Sequence, residues 1–334
     1  MHVYIADEAS PVVSRYKEIG EIGFPVNLLL TCNGKAPSRA RILDLACQAL
    51  SPDRLFVDSG AFIIKSKFFK HGGKSLAIEE CEKVIESHLG ACYWLVDNDI
   101  PLAGVAELDL QELYGMDVVK RWRDKYMFPF QEQTGVPVVF ASHMTNADDS
   151  IEVLVAHPDV YYIGMTMQTK ATQLDKLVEV AAMAAELCYL KGVKLHGYAV
   201  TRPSVLKKVP FYSCDSVTWQ QALHFGGAMV FDQTTGDIVR VDAGKGLVKK
   251  KGATAVAKNI LKIQGHGSKL KPLDVVGRKM VKGRPRADNH AIFLDQAKVF
   301  ADMARYYTTY WRLRGFDWEA QLEGRFEAEN DEEE

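Results

Sequence analysis

Short apolar runs alternate with stretches of helical periodicity along most of the chain. PVNLLL near residue 25, RLFVD ending at Asp58, YWLVD near 95, VAELD ending at Asp109 and VPVVFAS near 138 read as strands. So do VYYIG ending at Gly164, VKLHGYA near 196, FYSCD ending at Asp215 and AMVFD near 229. Between them, LAIEECEKVIESHL, DDSIEVLVAH and QLDKLVEVAAMAAELCYLKG read as helices, the last stopped at Lys191-Gly192. Strands alternating with helices predict βα units and a parallel sheet. About eight units fit the count, so the expected fold is α/β, a (β/α)8 TIM barrel. A doubly wound open sheet is the alternative, because periodicity does not tell a closed sheet from an open one.

The pattern changes after Asp232. TTGDIVRVDAG reads as a hairpin-like, turn-rich piece, and a Gly- and Lys-rich block follows before helical periodicity returns at AIFLDQAKVFADMARYYTTYWRLRG. The expected organisation is a barrel core over 1–235, a basic excursion over 236–288, a helix over 289–315 packing back on the barrel, and a flexible acidic tail over 316–334. The net charge of -2 hides this asymmetry. From Arg240 to Arg286 the only acids are Asp242 and Asp274, against a dense series of Lys and Arg. Within that block Lys249, Lys250, Lys251, Lys279, Lys282, Arg284 and Arg286 are candidate contacts to a polyanion. A solvated loop is the plainer reading of the same residues.

The chain of 334 residues, 47% hydrophobic and 25% charged, has the composition of a soluble globular protein with a large core. MHVYIADEAS lacks the build of a secretory signal, and no apolar run is long enough to span a bilayer. Cys32, Cys47, Cys81, Cys92, Cys188 and Cys214 are scattered with no CxxC pair. This predicts free thiols in a reducing, cytoplasmic compartment and no cysteine-rich zinc site.

Polar residues where strands end carry the chemistry. Asp58 in VDSGAF, Asp109 in VAELD and Asp215 in SCDSVTW each follow an apolar run. In a barrel the C-terminal strand ends meet at one mouth, where active sites sit. Three carboxylates there would shift one another's pKa, which suits one base and one nucleophile. Taken singly, each Asp is as well read as a helix cap or an Asx turn. His143 in FASHM and His196 in LHGYA also follow strand runs, and contact with base or phosphate, orientation of an Asp, and a purely structural role are all open to them. Cys214 reads as packing, because no His is placed by the sequence to activate it. Trp219, Phe225 and Phe231 are candidates to hold flipped or flanking bases, with core packing as the rival reading. No metal and no cofactor are expected.

In order and spacing, VDSGAF at 57–62, YIGMT at 162–166 and KLHGYAVTRPSVLKKVPFYSCDSVTW at 194–219 resemble three blocks of the tRNA-guanine transglycosylase superfamily. These are its DSGGFQ motif, its Gly-Gly-Leu substrate loop, and the segment ending in the catalytic Asp. The resemblance covers roughly residues 50–235. It implies that Asp215 is the nucleophile attacking C1′ of the target nucleoside and that Asp58 is the general acid/base. It further implies that Asp109 reads the guanine edge, that Gly164 and Met165 form the substrate loop, and that Ser59 and Gly60 line the same pocket. Retaining glycosidic substitution needs such a nucleophile and a second carboxyl group, and a carboxylate accepts the N1 and N2 protons of guanine.

The departures from the family pattern imply the branch. No cysteine follows Cys214, so the zinc site of the tRNA enzymes is absent; Ile63 replaces Gln, Met165 replaces the second Gly, and Cys214 and Ser216 flank the Asp. The chain is thus similar to the zinc-free phage and bacterial enzymes that place 7-deazaguanines in DNA. The implied partners are DNA and a free 7-deazaguanine base such as preQ0, in the host cytoplasm if the gene is a phage's. A tRNA enzyme without its zinc subdomain and a non-catalytic nucleic-acid-binding barrel are the alternatives. Oligomeric state is left open.

Overall fold

The computed structural model describes residues 1–6, 27–31, 55–70, 76–143, 150–167, 173–216, 227–242, 264–265, 279–281, 284–286 and 289–324. Eight parallel strands pair in chain order and close on themselves. They are β1 (His2–Ala6), β2 (Asn27–Thr31), β3 (Leu55–Asp58), β4 (Gly104–Ala106), β5 (Val138–Ser142), β6 (Tyr162–Thr166), β7 (Lys194–Tyr198) and β8 (Ser213–Ser216). Closure is direct: β8 pairs with β1 from His2 opposite Ser213 to Ile5 opposite Ser216. The protein is an α/β barrel of the (β/α)8 TIM type, and the open-sheet alternative is excluded.

The strands differ from the sequence reading in two places, and one expected strand is a helix. HVYIA at the start of the chain, not among the expected strands, is β1. YWLVD is the end of a 20-residue helix, Ile78–Asp97. Its buried positions Cys81, Ile85, His88, Leu89, Cys92 and Leu95 repeat at three- and four-residue intervals and form one stripe against the barrel. AMVFD is a strand but stands outside the barrel. There β9 (Gly227–Asp232) pairs antiparallel with β10 (Asp237–Asp242) in a separate two-stranded sheet. The expected boundary at 235 therefore falls inside a hairpin turn.

The remaining helices that matter to the site are α1 (Ala61–Lys70), following β3, and the π-helical segment Arg123–Met127 between β4 and β5. A long C-terminal helix, Asn289–Arg312, packs on β1 and β9. It is pinned by polar contacts: the Met1 amine donates to Thr308 Oγ1 at 2.8 Å, Tyr307 Oη to the Gly236 carbonyl at 2.8 Å, and Trp311 Nε1 to the Leu206 carbonyl at 2.9 Å. The chain does not leave the fold at 316, as the acidic-tail reading expected. Residues 318–324 are helical, and Trp318 buries its indole and donates Nε1–H to the Pro210 carbonyl at 3.0 Å. Residues 325–334 lie outside the described part of the chain. Among the described residues no helix is long and apolar enough to cross a membrane.

Candidate active site

Strand alternation builds the site. Three rings meet inside the barrel: Phe56 stacks on His196 at 4.8 Å, and Tyr162 lies edge-on to both, at 6.2 Å from Phe56 and 6.3 Å from His196. Side chains two positions on share the inward face. The next layer toward the C-terminal strand ends therefore holds Asp58 on β3, Gly164 on β6 and Tyr198 on β7. Asp215 on β8 stands two residues beyond Ser213, which hydrogen-bonds both Tyr162 and His196.

Tyr198 lies within the field of several of the site's acids. Burial, then the charges of Asp58, Glu107, Asp109 and Asp215, hold its phenol well above the ordinary tyrosine range. Four carboxylates from β3, from the segment after β4 and from β8 thus act on one hydroxyl. Asp109, expected at a strand end, stands three residues beyond β4.

Asp215 is nearly buried. Its Oδ1 accepts from the Ala199 amide at 2.8 Å and lies 3.2 Å from His196 Nε2. Ala199 has φ +56°, a left-handed conformation rare for a residue with a side chain, and it turns that amide onto the carboxylate. Asp109 is gripped on both oxygens: His143 Nε2 stands 3.1 Å from Oδ1, and Lys65 Nζ of α1 stands 3.0 Å from Oδ2. Burial pushes this carboxyl up, but the His143 hydrogen bond and the Lys65 charge outweigh it and hold the group well below the usual carboxylate range.

Several expected contacts take other roles. Ser59 is buried, and its Oγ donates to the Glu107 carbonyl at 2.8 Å, so it ties β3 to the segment after β4 and does not line an open pocket. Met165, one position out of phase with Gly164, is 1% exposed and packs on the outer face of the barrel. Gly164 itself is covered. A Cβ there would lie 2.2 Å from Tyr198 Cε2, so the missing side chain makes room for the Tyr198 ring and not for a base directly. Gly60, φ +74°, is the left-handed turn from β3 into α1, and its carbonyl accepts from the Ile63 amide at 2.9 Å. His143 and His196 orient Asp109 and Asp215 respectively. The Cys214 thiol is pushed well above its ordinary range by burial and by Asp215, which keeps it protonated and inert.

Sequence reasoning missed the best-anchored pair. Arg123 and Glu107, 7% and 3% exposed at their side chains, form a two-pronged ion pair, with Arg123 Nε 2.7 Å from Glu107 Oε2 and Nη2 2.6 Å from Oε1. The Ala141 amide donates to the same Glu107 oxygen at 2.5 Å, and Arg123 Nη2 donates to the Ala141 carbonyl at 3.2 Å. The pair fixes the end of β5 to the segment that carries Asp109. Arg123 sits in the π-helical turn, a feature frequent at functional sites. Tyr198 and Lys65 were missed as well.

Of the nucleic-acid candidates, Lys249, Lys250, Lys251 and Lys282 lie outside the described residues, as do Trp219 and Phe225. Lys279, Arg284 and Arg286 stand on a two-stranded antiparallel ribbon, β11 (Lys279–Val281) with β12 (Arg284–Arg286). Phe231 is 3% exposed and packs edge-on against Tyr306 at 5.3 Å, so it is a core residue and not a base-stacking platform. Among the described residues no group of His, Cys, Asp or Glu is arranged to hold a metal ion.

No known family profile matches the chain, and no curated protein sequence is similar to it. Similar solved structures include a mandelate racemase/muconate lactonizing enzyme-like protein from Rubrobacter xylanophilus, 11% identical with a TM-score of 0.36. That match covers 64% of this chain and 56% of the other, so this chain spans little more than half of that protein's length. CitE from Mycobacterium tuberculosis, in complex with magnesium, acetoacetate and coenzyme A, is 9% identical with a TM-score of 0.34 over 92% of this chain and 97% of its own. These likenesses concern the fold alone.

Proposed function

We propose that this chain is an enzyme, a DNA-guanine transglycosylase that exchanges guanine in DNA for a 7-deazaguanine such as preQ0. The observation that carries the reading is that Asp58 ends β3, Asp109 stands three residues beyond β4 and Asp215 lies in β8, all toward one end of the barrel, because the resemblance assigns those three acids to acid/base, base recognition and nucleophile.

In this reading the Asp215 carboxylate attacks C1′ of a deoxyguanosine turned out of the duplex. The new C1′–O bond forms as C1′–N9 breaks, and Asp58 protonates the departing guanine. The incoming base then attacks C1′ through N9, Asp58 takes the N9 proton, and the ester bond to Asp215 breaks. Two displacements retain the configuration and leave both carboxyl groups as they began. Asp109 accepts the N1 and N2 protons of the purine. His143 and the Gln111 amide hold Oδ1 and Lys65 holds Oδ2, which keeps the group ionised and leaves Oδ2 the freer oxygen for the base.

Incubation with duplex DNA and isotope-labelled preQ0, followed by nucleoside mass spectrometry, tests the reading. Labelled 7-deazaguanosine in the DNA is expected. Label in tRNA alone would favour the tRNA-acting alternative, and label in neither would remove the activity.

A further inference from the structure

A chain of hydrogen bonds runs up the barrel axis and ends on Asp215. Tyr162 Oη bonds Ser213 Oγ, Ser213 Oγ lies 2.6 Å from His196 Nδ1, and His196 Nε2 lies 3.2 Å from Asp215 Oδ1. All three inner members are buried, His196 and Ser213 completely, so none of these groups exchanges its partner for water. The His196 ring is held flat against Phe56 at 4.8 Å and edge-on to Tyr198 at 4.7 Å, which fixes the plane of the ring.

We propose that His196 is a positioning residue that aims Asp215 for attack, its protonated Nε2 clamping Oδ1 so that Oδ2 faces the substrate. The proposal rests on the transglycosylase reading and deepens it. The proton order follows from chemistry. Asp215 only accepts, so the atom facing it must be N–H and not a bare ring nitrogen. With a neutral ring Nδ1 is then an acceptor, Ser213 donates to it, and Tyr162 donates to Ser213. Every donor in the chain points toward the mouth, and the second-layer bonds fix the tautomer as they do behind metal-bound histidines. Oδ1 also holds the Ala199 amide. No described residue hydrogen-bonds Oδ2, and the Asp215 side chain keeps 13% of its surface exposed. One oxygen is anchored twice, and in the proposal the other meets C1′.

The test combines exchange kinetics with nitrogen-15 spectra of the histidines, His196→Gln identifying the His196 signals by their loss. Exchange of labelled guanine into duplex DNA is followed in His196→Ala, His196→Gln and Ser213→Ala. His196→Ala is expected to lower kcat on the order of 10²-fold through misplacement of the nucleophile, with KM for guanine and DNA unchanged. His196→Gln keeps a side-chain N–H donor and an oxygen acceptor and restores kcat to within about 10-fold. Ser213→Ala, a small change that spares the packing, frees the tautomer and lowers kcat about 10-fold. The wild-type spectrum should show Nε2 protonated. A bare Nε2, or a full kcat in His196→Ala and Ser213→Ala, would overturn the proposal. A wild-type protein that exchanges no guanine in DNA or tRNA removes the transglycosylase reading instead, and the spectrum then decides alone whether Nε2 clamps Asp215.

Discussion

At the base of the barrel, where the strands begin, stand the partly buried Met1 amine, His2 and Lys194; toward the mouth stand acids paired with cationic or donor groups. The base drives its amine and its histidine toward neutrality. Burial lowers the Met1 amine to about 6, and burial followed by the charges of the N-terminus and Lys194 lowers His2 to about 3. Aromatic faces fill the space, with Lys194 Nζ 4.9 Å from the Tyr212 ring and 5.8 Å from that of Tyr162. The mouth does the reverse for Asp109, which is surrounded by donors and a cation that hold it ionised against burial. A neutral amine or imidazole in a dry pocket only packs. A charged acid held at a strand end keeps its reactivity, and this is the division of labour expected along a barrel axis.

The contrast can be broken at either end. Its largest consequence falls on Asp215. Asp215→Asn keeps the shape and the bond from Ala199 but loses the nucleophile, so labelled guanine exchange should fall by about 10⁴-fold or more while the melting curve stays cooperative. Retained exchange would move the chemistry elsewhere. Next comes the frame that holds the mouth together. Glu107→Leu takes the carboxylate away from the buried Arg123 and should cost about 3–5 kcal/mol in urea unfolding, whereas Glu107→Leu with Arg123→Met should recover most of that. Equal losses in both would mean that the pair does not organise the segment.

Gly164→Ala follows in size. Its methyl group runs into the Tyr198 ring, and overpacking of this kind costs about 1–3 kcal/mol, which Tyr198→Leu in the same chain should relieve. The effect at the base depends on pH and is the smallest of these near neutrality. Below about 6.5 the unfolded chain takes a proton on His2 that the folded chain refuses until about 3, so stability falls as the pH drops through that window. At pH 6 the loss is below about 1 kcal/mol. His2→Phe should flatten the slope of unfolding free energy between 6.5 and 3. The steeper limb below 3.8, where Asp109 loses the stability its depressed carboxylate supplies above that pH, should remain. An unchanged slope would mean that the base does not refuse the proton.

The barrel was legible because seven of its eight strands are apolar runs bounded by helical periodicity. YWLVD was misread because a five-residue apolar window cannot separate a strand from the buried stripe of a helix; the longer run back to Cys81 carries that stripe. Asp58, Asp215 and His143 were legible as polar residues at or just past strand ends, whereas Asp109 stands three residues beyond β4 and His196 lies in the middle of β7. Met165 falls out of phase with the inward positions of β6, because one step along a strand turns a side chain to the opposite face. Glu107 and Arg123, 16 positions apart, join through tertiary packing around a π-helical turn, for which nothing in the local sequence prepares. Lys65 reaches Asp109 across 44 positions for the same reason. Tyr198 becomes visible only when Gly164 is seen as the gap it fills.

The most direct test is to catch the bond to Asp215. The protein is mixed with a guanine-containing DNA duplex, quenched in acid during exchange, digested, and its peptides weighed. The account predicts a deoxyribosyl ester on the peptide carrying Asp215 that disappears in Asp215→Asn. An adduct on another residue, or exchange that proceeds with no adduct at all, would contradict it.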